Sequence, residues 1–295
     1  MTSLSLDSVH PLILRALEED IAIGDVTSEA IFPPDADAQA VFLVKRDGVI
    51  CGLDVARWVC EEVAKQSSDD SFVWESYMKE GSLVYSGSVV ARVHGRARTL
   101  LKAERTALNF LQRLSGVASL TRRYVQAVEG TQARIADTRK TIPGWRVLDK
   151  YAVAIGGGLN HRMGLFDMVL IKDNHRDAAG SLSDALRLCH QAFLYQPAMR
   201  IEVETRTLDD VREVLTCLEH GLRIDRVMLD NFSPSEAREA VKIIAGKLET
   251  EASGNITLAN VRAFAEAGVN IISVGALTHS APALDISMKF RHDTS

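Results

Sequence analysis

No stretch of this 295-residue chain approaches the roughly 18–20 consecutive apolar residues that a membrane-spanning helix needs. Its start, MTSLSLDSVHP, lacks the basic-then-apolar order of a secretory signal. The expectation is therefore a cytoplasmic protein, or an organellar one if a targeting peptide has been removed. Cysteine occurs four times, at Cys51, Cys60, Cys189 and Cys217, with no CxxC pair. That spacing argues against a disulfide frame or a zinc site and for small buried thiols in a reducing compartment. Linkers and low-complexity segments are missing as well. The net charge of −5 excludes a general polyanion binder, so any anion site must be a local cluster of Arg and Lys. Hydrophobic residues at 46% leave ample material for a core of one large domain or two unequal ones.

The first hundred residues mix helix and strand patterns. LILRALEEDI reads as a helix, and LDVARWVCEEVAKQ puts Val55, Trp58, Val59 and Val63 on one helical face. AQAVFLVKRDGVICG and SFVWESYMKEGSLVYSGSVVARVHGRA read as short strands broken at glycines. Together they predict an α+β domain with an antiparallel sheet. TLLKAERTALNFLQRLSGVASLTRRYVQAVE then predicts two helices meeting near Ser115-Gly116.

Beyond it a rhythm begins. Short apolar runs end at Asp137, Lys172, Glu204, Asp230, Glu251 and Gly275, and helix-like segments separate them. This is the spacing of β/α units around a parallel barrel. Six strands are well marked, with a weak seventh around Gly158–Asn160, so a partly open barrel fits better than a closed eight-stranded one. Ser233 or Ser235 can cap the helix EAREAVKII, and Thr257 can cap LANVRAFAEAG.

In such a barrel the C-terminal strand ends share one face, where the chemistry sits. Those ends offer Arg139 and Lys140, then His161 and Arg162, then Lys172 with Asp173 and Asn174, then Glu204, Asp230, Ser253 to Asn255, and Gly275. Arg presents a planar fork that matches carboxylates and phosphates, so the cations read as a pocket for a small polyanion. Glu204 and Asp230 suit a divalent metal or sugar hydroxyls. Ser253-Gly254 and Gly275 suit a phosphate on backbone N–H groups near helix N-termini. Each residue alone has a plainer reading as turn, cap or solvated charge; the case rests on charge recurring at the same end of successive strands. Gly156-Gly157-Gly158 is no dinucleotide fingerprint, since no strand precedes it, and reads as a helix end opening a hairpin.

The blocks ERTALNFLQRLSGVASLT, ADTRKTIPGWRVLDKYAVAIGGGLNHRMGLFDMVLIKDNH, IEVE, MLDNFSP, EASGNIT and ISVGALTHSAPALDISM resemble the quinolinate phosphoribosyltransferase family. The resemblance implies an open, seven-stranded α/β barrel with an N-terminal α+β sandwich domain. It divides the chain into 1–115 and 116–285, with a tail from about 280 to 295 packing on the first. It implies a decarboxylating transfer of phosphoribose to quinolinate in NAD biosynthesis, with Mg2+. It also implies a homodimer or larger assembly, such as a hexamer, in which Arg105 is lent to the neighbour's site. By the match, Arg105, Arg139, His161, Arg162 and Lys172 bind the quinolinate carboxylates. Lys140 reaches the phosphates. Glu204 and Asp230 serve the ribose and the metal, and Ser253, Gly254, Asn255 and Gly275 seat the 5′-phosphate. Asn255 departs from the pattern, since many members carry Gly there. Three other readings are a phosphoribosyltransferase with another acceptor, a Schiff-base aldolase using Lys140 or Lys172, and a sensor that has lost turnover.

Overall fold

The computed structural model describes residues 4–291. In chain order the elements are α1 (Leu6–Ile21), α2 (Val26–Ile31), β1 (Asp37–Val44), β2 (Gly48–Val49), α3 (Leu53–Gln66), β3 (Val73–Ser76), β4 (Leu83–Val84), β5 (Val89–Arg96) and α4 (Ala97–Ala127). Then follow β6 (Arg134–Ala136), α5 (Arg146–Ile155), β7 (Val169–Ile171), α6 (Asp173–Ala179), α7 (Leu182–Ala192), β8 (Ile201–Thr205), α8 (Leu208–Glu219) and β9 (Arg226–Asp230). The last are α9 (Pro234–Ile244), β10 (Glu249–Ser253), α10 (Val261–Glu266), β11 (Ile271–Ser273), α11 (Ala276–His279) and β12 (Ile286–Arg291). The described residues form two compact units: residues 4–122, 142–157 and 280–291 in the first, and 123–141 and 158–279 in the second.

The first unit holds an antiparallel sheet in the order β12-β1-β5-β3 and a small ribbon, β2-β4. β1 lies in the interior of the sheet, and its middle residues, Ala40, Val41 and Phe42, are buried. On α3 the apolar period buries Val55, Val59 and Val63, while Trp58 stays half-buried. The C-terminal segment returns here as β12, pairing Met288 with Phe42; residues 292–295 lie outside the described residues. Two expectations differ. The two helices expected to meet near Ser115-Gly116 are one, α4, 31 residues long. Ser115 does not break it, because its hydroxyl is engaged sideways, accepting from the Cys51 N–H and donating to the Cys51 carbonyl. And α5, which the sequence reading put in the barrel, belongs to the first unit. It begins at Arg146 with Trp145 as its N-cap, and Trp145 stacks on Phe110 of α4 with ring centroids 4.8 Å apart.

The second unit is an open α/β barrel. Its parallel strands run β6-β11-β10-β9-β8-β7. The weak seventh strand is a single parallel bridge, Ala136 to Leu159, on the free side of β6. It is not a hairpin. Leu159 N–H donates to Ile135 O and Asp137 N–H donates to Leu159 O. The opening therefore lies between Leu159 and β7. Helix starts follow local chemistry: Ser233 and Glu236 form a reciprocal capping box on α9, with Pro234 in the first turn, and Thr207 and Asp210 do the same for α8. α10 starts later than its sequence pattern suggests. Asn260, not Thr257, is its N-cap, and its Oδ1 accepts from the Thr257 N–H.

All four cysteines are free; three are buried and Cys189 is half-buried. Among the described residues, no helix is long and apolar enough to cross a membrane.

Candidate active site

The C-terminal strand ends of the second unit surround a cavity of about 720 Å³. Arg139, Lys140, His161, Arg162, Lys172, Glu204, Asp230, Ser253, Gly254, Asn255 and Gly275 all line it. Arg105 does not: it is exposed on α4, in the first unit.

The loop after β6 carries the first two cations. Thr138 Oγ1 accepts the Lys140 N–H at 3.0 Å, and Thr278 Oγ1 donates to the Lys140 carbonyl at 2.8 Å. A side chain at Gly275 would collide with Lys140 Cδ, 3.0 Å from its Cβ, and with His279 Nε2 at 3.2 Å. Glycine there leaves both side chains room at the rim. The buried Nε of Arg139 has no hydrogen-bond partner among the described residues. Arg162 bonds the Met168 carbonyl at 3.2 Å. Burial, with the Arg139 charge nearby, holds the Arg162 guanidinium below its ordinary pKa. Two guanidiniums held against their mutual repulsion favour an anion between them.

Asp137, fully buried, pins the next loop. Its two carboxylate oxygens accept from Asn160 Nδ2 and the His161 N–H, each at 2.8 Å. His161 Nδ1 accepts the Arg162 N–H at 2.8 Å. Its Nε2 lies 3.1 Å from Glu202 and 3.3 Å from Glu251. Burial alone would lower the His161 pKa; hydrogen bonds to the two carboxylates raise it by holding a proton on Nε2, while the Arg162 N–H on Nδ1, which needs that nitrogen unprotonated, opposes a second proton. The carboxylates themselves diverge. Burial pushes Glu202 up, and its Oε1 is buried with no hydrogen-bond partner among the described residues. Glu251 is lowered despite its burial, because His161, Ser273 and Arg226 all favour its charge.

Lys172 and Arg206 both reach Glu204, at 3.3 and 3.7 Å, and Arg206 pairs with Asp173 at 2.7 Å. Asp230 accepts from Asn231 Nδ2 at 2.8 Å. In the loop after β10, Gly254 has φ +96°, and a Cβ there would meet the Asn231 side chain and backbone. Asn255 follows at φ +53°, a left-handed conformation that Asn adopts more readily than most residues. Its Nδ2 donates to Asn231 Oδ1. Asn255 thus takes a positive φ of the kind that favours glycine. A turn, not a helix, follows this loop, so only Gly275 sits directly before a helix, α11.

The fold of the matched family comes in two pieces, and both are present. The family model described as "Quinolinate phosphoribosyl transferase, N-terminal domain" matches residues 25–115, and the corresponding C-terminal domain matches residues 117–289. The chain belongs to the quinolinate phosphoribosyltransferase family. It is 47% identical over 287 residues to a mitochondrial quinolinate phosphoribosyltransferase [decarboxylating] of Nicotiana tabacum, covering 93% of this chain and 80% of that one. It is 46% identical over 291 residues to the chloroplastic nicotinate-nucleotide pyrophosphorylase [carboxylating] of Arabidopsis thaliana, covering 94% and 81%. The solved nicotinate-nucleotide pyrophosphorylase of Francisella tularensis superposes with a TM-score of 0.90 at 36% identity, over 98% of each chain.

Sequence reasoning missed Arg206, His279 and the buried group Glu202, Arg226 and Glu251. The last was detectable. In IEVET, RVMLD and ETEAS, the two-residue period of a strand puts Glu202 with Glu204, Arg226 with Asp230, and Glu251 with Ser253 on one strand face.

Proposed function

We propose that the chain transfers the phosphoribosyl group of phosphoribosyl pyrophosphate to quinolinate, releasing pyrophosphate and CO2 and giving nicotinate mononucleotide for NAD synthesis. The observation that carries this reading is the convergence of Arg139, Lys140, Arg162 and Lys172 on one cavity that also holds Glu204 and Asp230.

Arg139, Arg162 and Lys172 take the quinolinate carboxylates, and His161 lies beside Arg162 at the cavity floor. Lys140 faces the phosphates. Ser253, Gly254, Asn255 and Gly275 seat the 5′-phosphate. Departure of pyrophosphate builds positive charge on the ribose ring. Glu204 and Asp230 supply negative charge and hydroxyl contacts there, and Lys140 steadies the leaving group. Glu204 and Asp230, on adjacent strands and both lining the cavity, would hold a Mg2+, which would supply positive charge to the departing pyrophosphate. No covalent enzyme intermediate is needed. Alkylation of the ring nitrogen makes the pyridinium that stabilises the electron pair left on the ring carbon by CO2, and a proton from solvent then takes the place of the lost carboxylate while the protein holds the ring.

A monocarboxylate would leave the half-buried Arg139 and Arg162 guanidiniums short of a partner, which is costly. The expected result is CO2 release that requires quinolinate, phosphoribosyl pyrophosphate and Mg2+, with nicotinate a poor substitute. Equal use of nicotinate would overturn the reading. We further propose a homodimer or larger homo-oligomer, such as a hexamer, in which Arg105 reaches a neighbour's site. Mixing Arg105→Ala with Lys140→Ala subunits, each inactive alone, should restore part of the activity; no recovery in confirmed mixed oligomers would refute sharing. We place the reaction in the cytoplasm, the alternative being an organelle, as in the names of the two plant relatives.

A further inference from the structure

At the cavity floor, which Glu251 helps to line, and beneath it lie charged side chains with more partners than substrate contact requires. Glu202 and Glu251 are fully buried, and Arg226 nearly so. Burying such groups is expensive unless they are paired. Here they are. Arg226 Nη1 donates to Glu251 at 2.9 Å and lies 3.7 Å from Glu202, and its Nε donates to Glu249 at 2.9 Å. Glu249 is in turn held by Arg200 at 2.8 Å, and Ser273 donates to Glu251 at 2.6 Å. The result is a ladder of alternating charge running from the lower end of the strands to His161.

One use for the upper rungs would be a metal. His161, Glu202 and Glu251 bring possible ligand atoms within 4.8 Å of one another. The Arg226 guanidinium already supplies positive charge to both carboxylates and would repel a dication. A second use fits every contact. His161 Nε2 is bound by the ladder, and its Nδ1 accepts the backbone N–H of Arg162. The ring is thus a strut between a rigid floor and the residue beside it.

We propose that Glu202, Glu251 and Arg226 are positioning residues: they fix the His161 ring, and the ring sets the backbone of Arg162 so that its guanidinium meets a substrate carboxylate. This rests on the quinolinate reading above. It makes His161 act through Arg162, with both of its ring nitrogens serving the protein.

The test is steady-state kinetics on the full chain with Glu251→Gln, Arg226→Met and Arg226→Lys, each checked by thermal melting. Loss of a charge-assisted bond that aims one substrate group should raise the quinolinate KM about tenfold in Glu251→Gln and Arg226→Met. The KM for phosphoribosyl pyrophosphate should stay within about twofold, since its contacts are elsewhere on the rim. Arg226→Lys should recover part of the quinolinate KM. An unchanged quinolinate KM in a folded variant, an equal rise in both KM values, or a fall in kcat alone would each overturn the proposal. If Arg226→Met does not fold, Glu251→Gln decides, and Glu202→Gln repeats the test at a carboxylate already biased toward its neutral form. Wild-type protein with no quinolinate-dependent CO2 release would instead sink the functional reading.

Discussion

β1 in the first unit and β8 in the second are both buried strands, yet they are filled differently. β1 packs Ala40, Val41 and Phe42 in its middle, and Phe42 meets Trp74 with ring centroids 5.1 Å apart. β8 alternates Ile201 and Val203 with Glu202 and Glu204, so that one face packs on helices and the other carries charge. Apolar burial is favourable by itself and asks only for volume. Buried charge is stable only with partners in fixed places, which is why Glu202 and Glu204 come with His161, Arg226, Lys172 and Arg206. The first strand holds the molecule together; the second gives up some of that stability to place functional groups.

Substitutions can separate these two roles. Phe42→Ala should cost about 3–5 kcal/mol of stability, seen as a lower denaturant midpoint, with both KM values unchanged in the folded fraction. A shifted KM would mean that the core strand shapes the site. Lys140→Ala should do the reverse. Removing one preorganised charge at the leaving group should cut kcat by about 10²–10³-fold, while the melting temperature holds; a stability loss without a kcat loss would contradict its assignment. Arg139→Ala should weaken quinolinate binding by about 10–100-fold with a smaller change in kcat, read by equilibrium binding and by KM. A pure kcat defect would move Arg139 from substrate grip to chemistry. Ser233→Ala lies outside both strands and tests neither role; loss of the α9 cap should cost about 1 kcal/mol and leave kinetics alone, which sets the baseline for the other three.

The barrel was legible because parallel strands collect their C-terminal ends on one face, so charge at Arg139, Arg162, Lys172, Glu204 and Asp230 had one place to converge. The α9 cap was legible because Ser233, Pro234 and Glu236 act within one turn. Other features depended on distant partners. Ser115-Gly116 looks like a break until Cys51 is seen bonding the serine hydroxyl. Leu159 becomes a strand position only beside Ala136. Asn255 looks like a departure until its backbone shows a positive φ of the kind that favours glycine.

Periodicity and local chemistry by themselves determined the two-part α/β plan, the six strong strands and the rim cations, because those follow from residues near one another in the chain. Tertiary structure alone decided that α4 runs unbroken, that α5 joins the first unit, and that His161 is held between Arg162 and the buried Glu202, Glu251 and Arg226. The partners come from strands tens of residues apart, and a buried charge takes its meaning from whichever opposite charge the fold brings beside it.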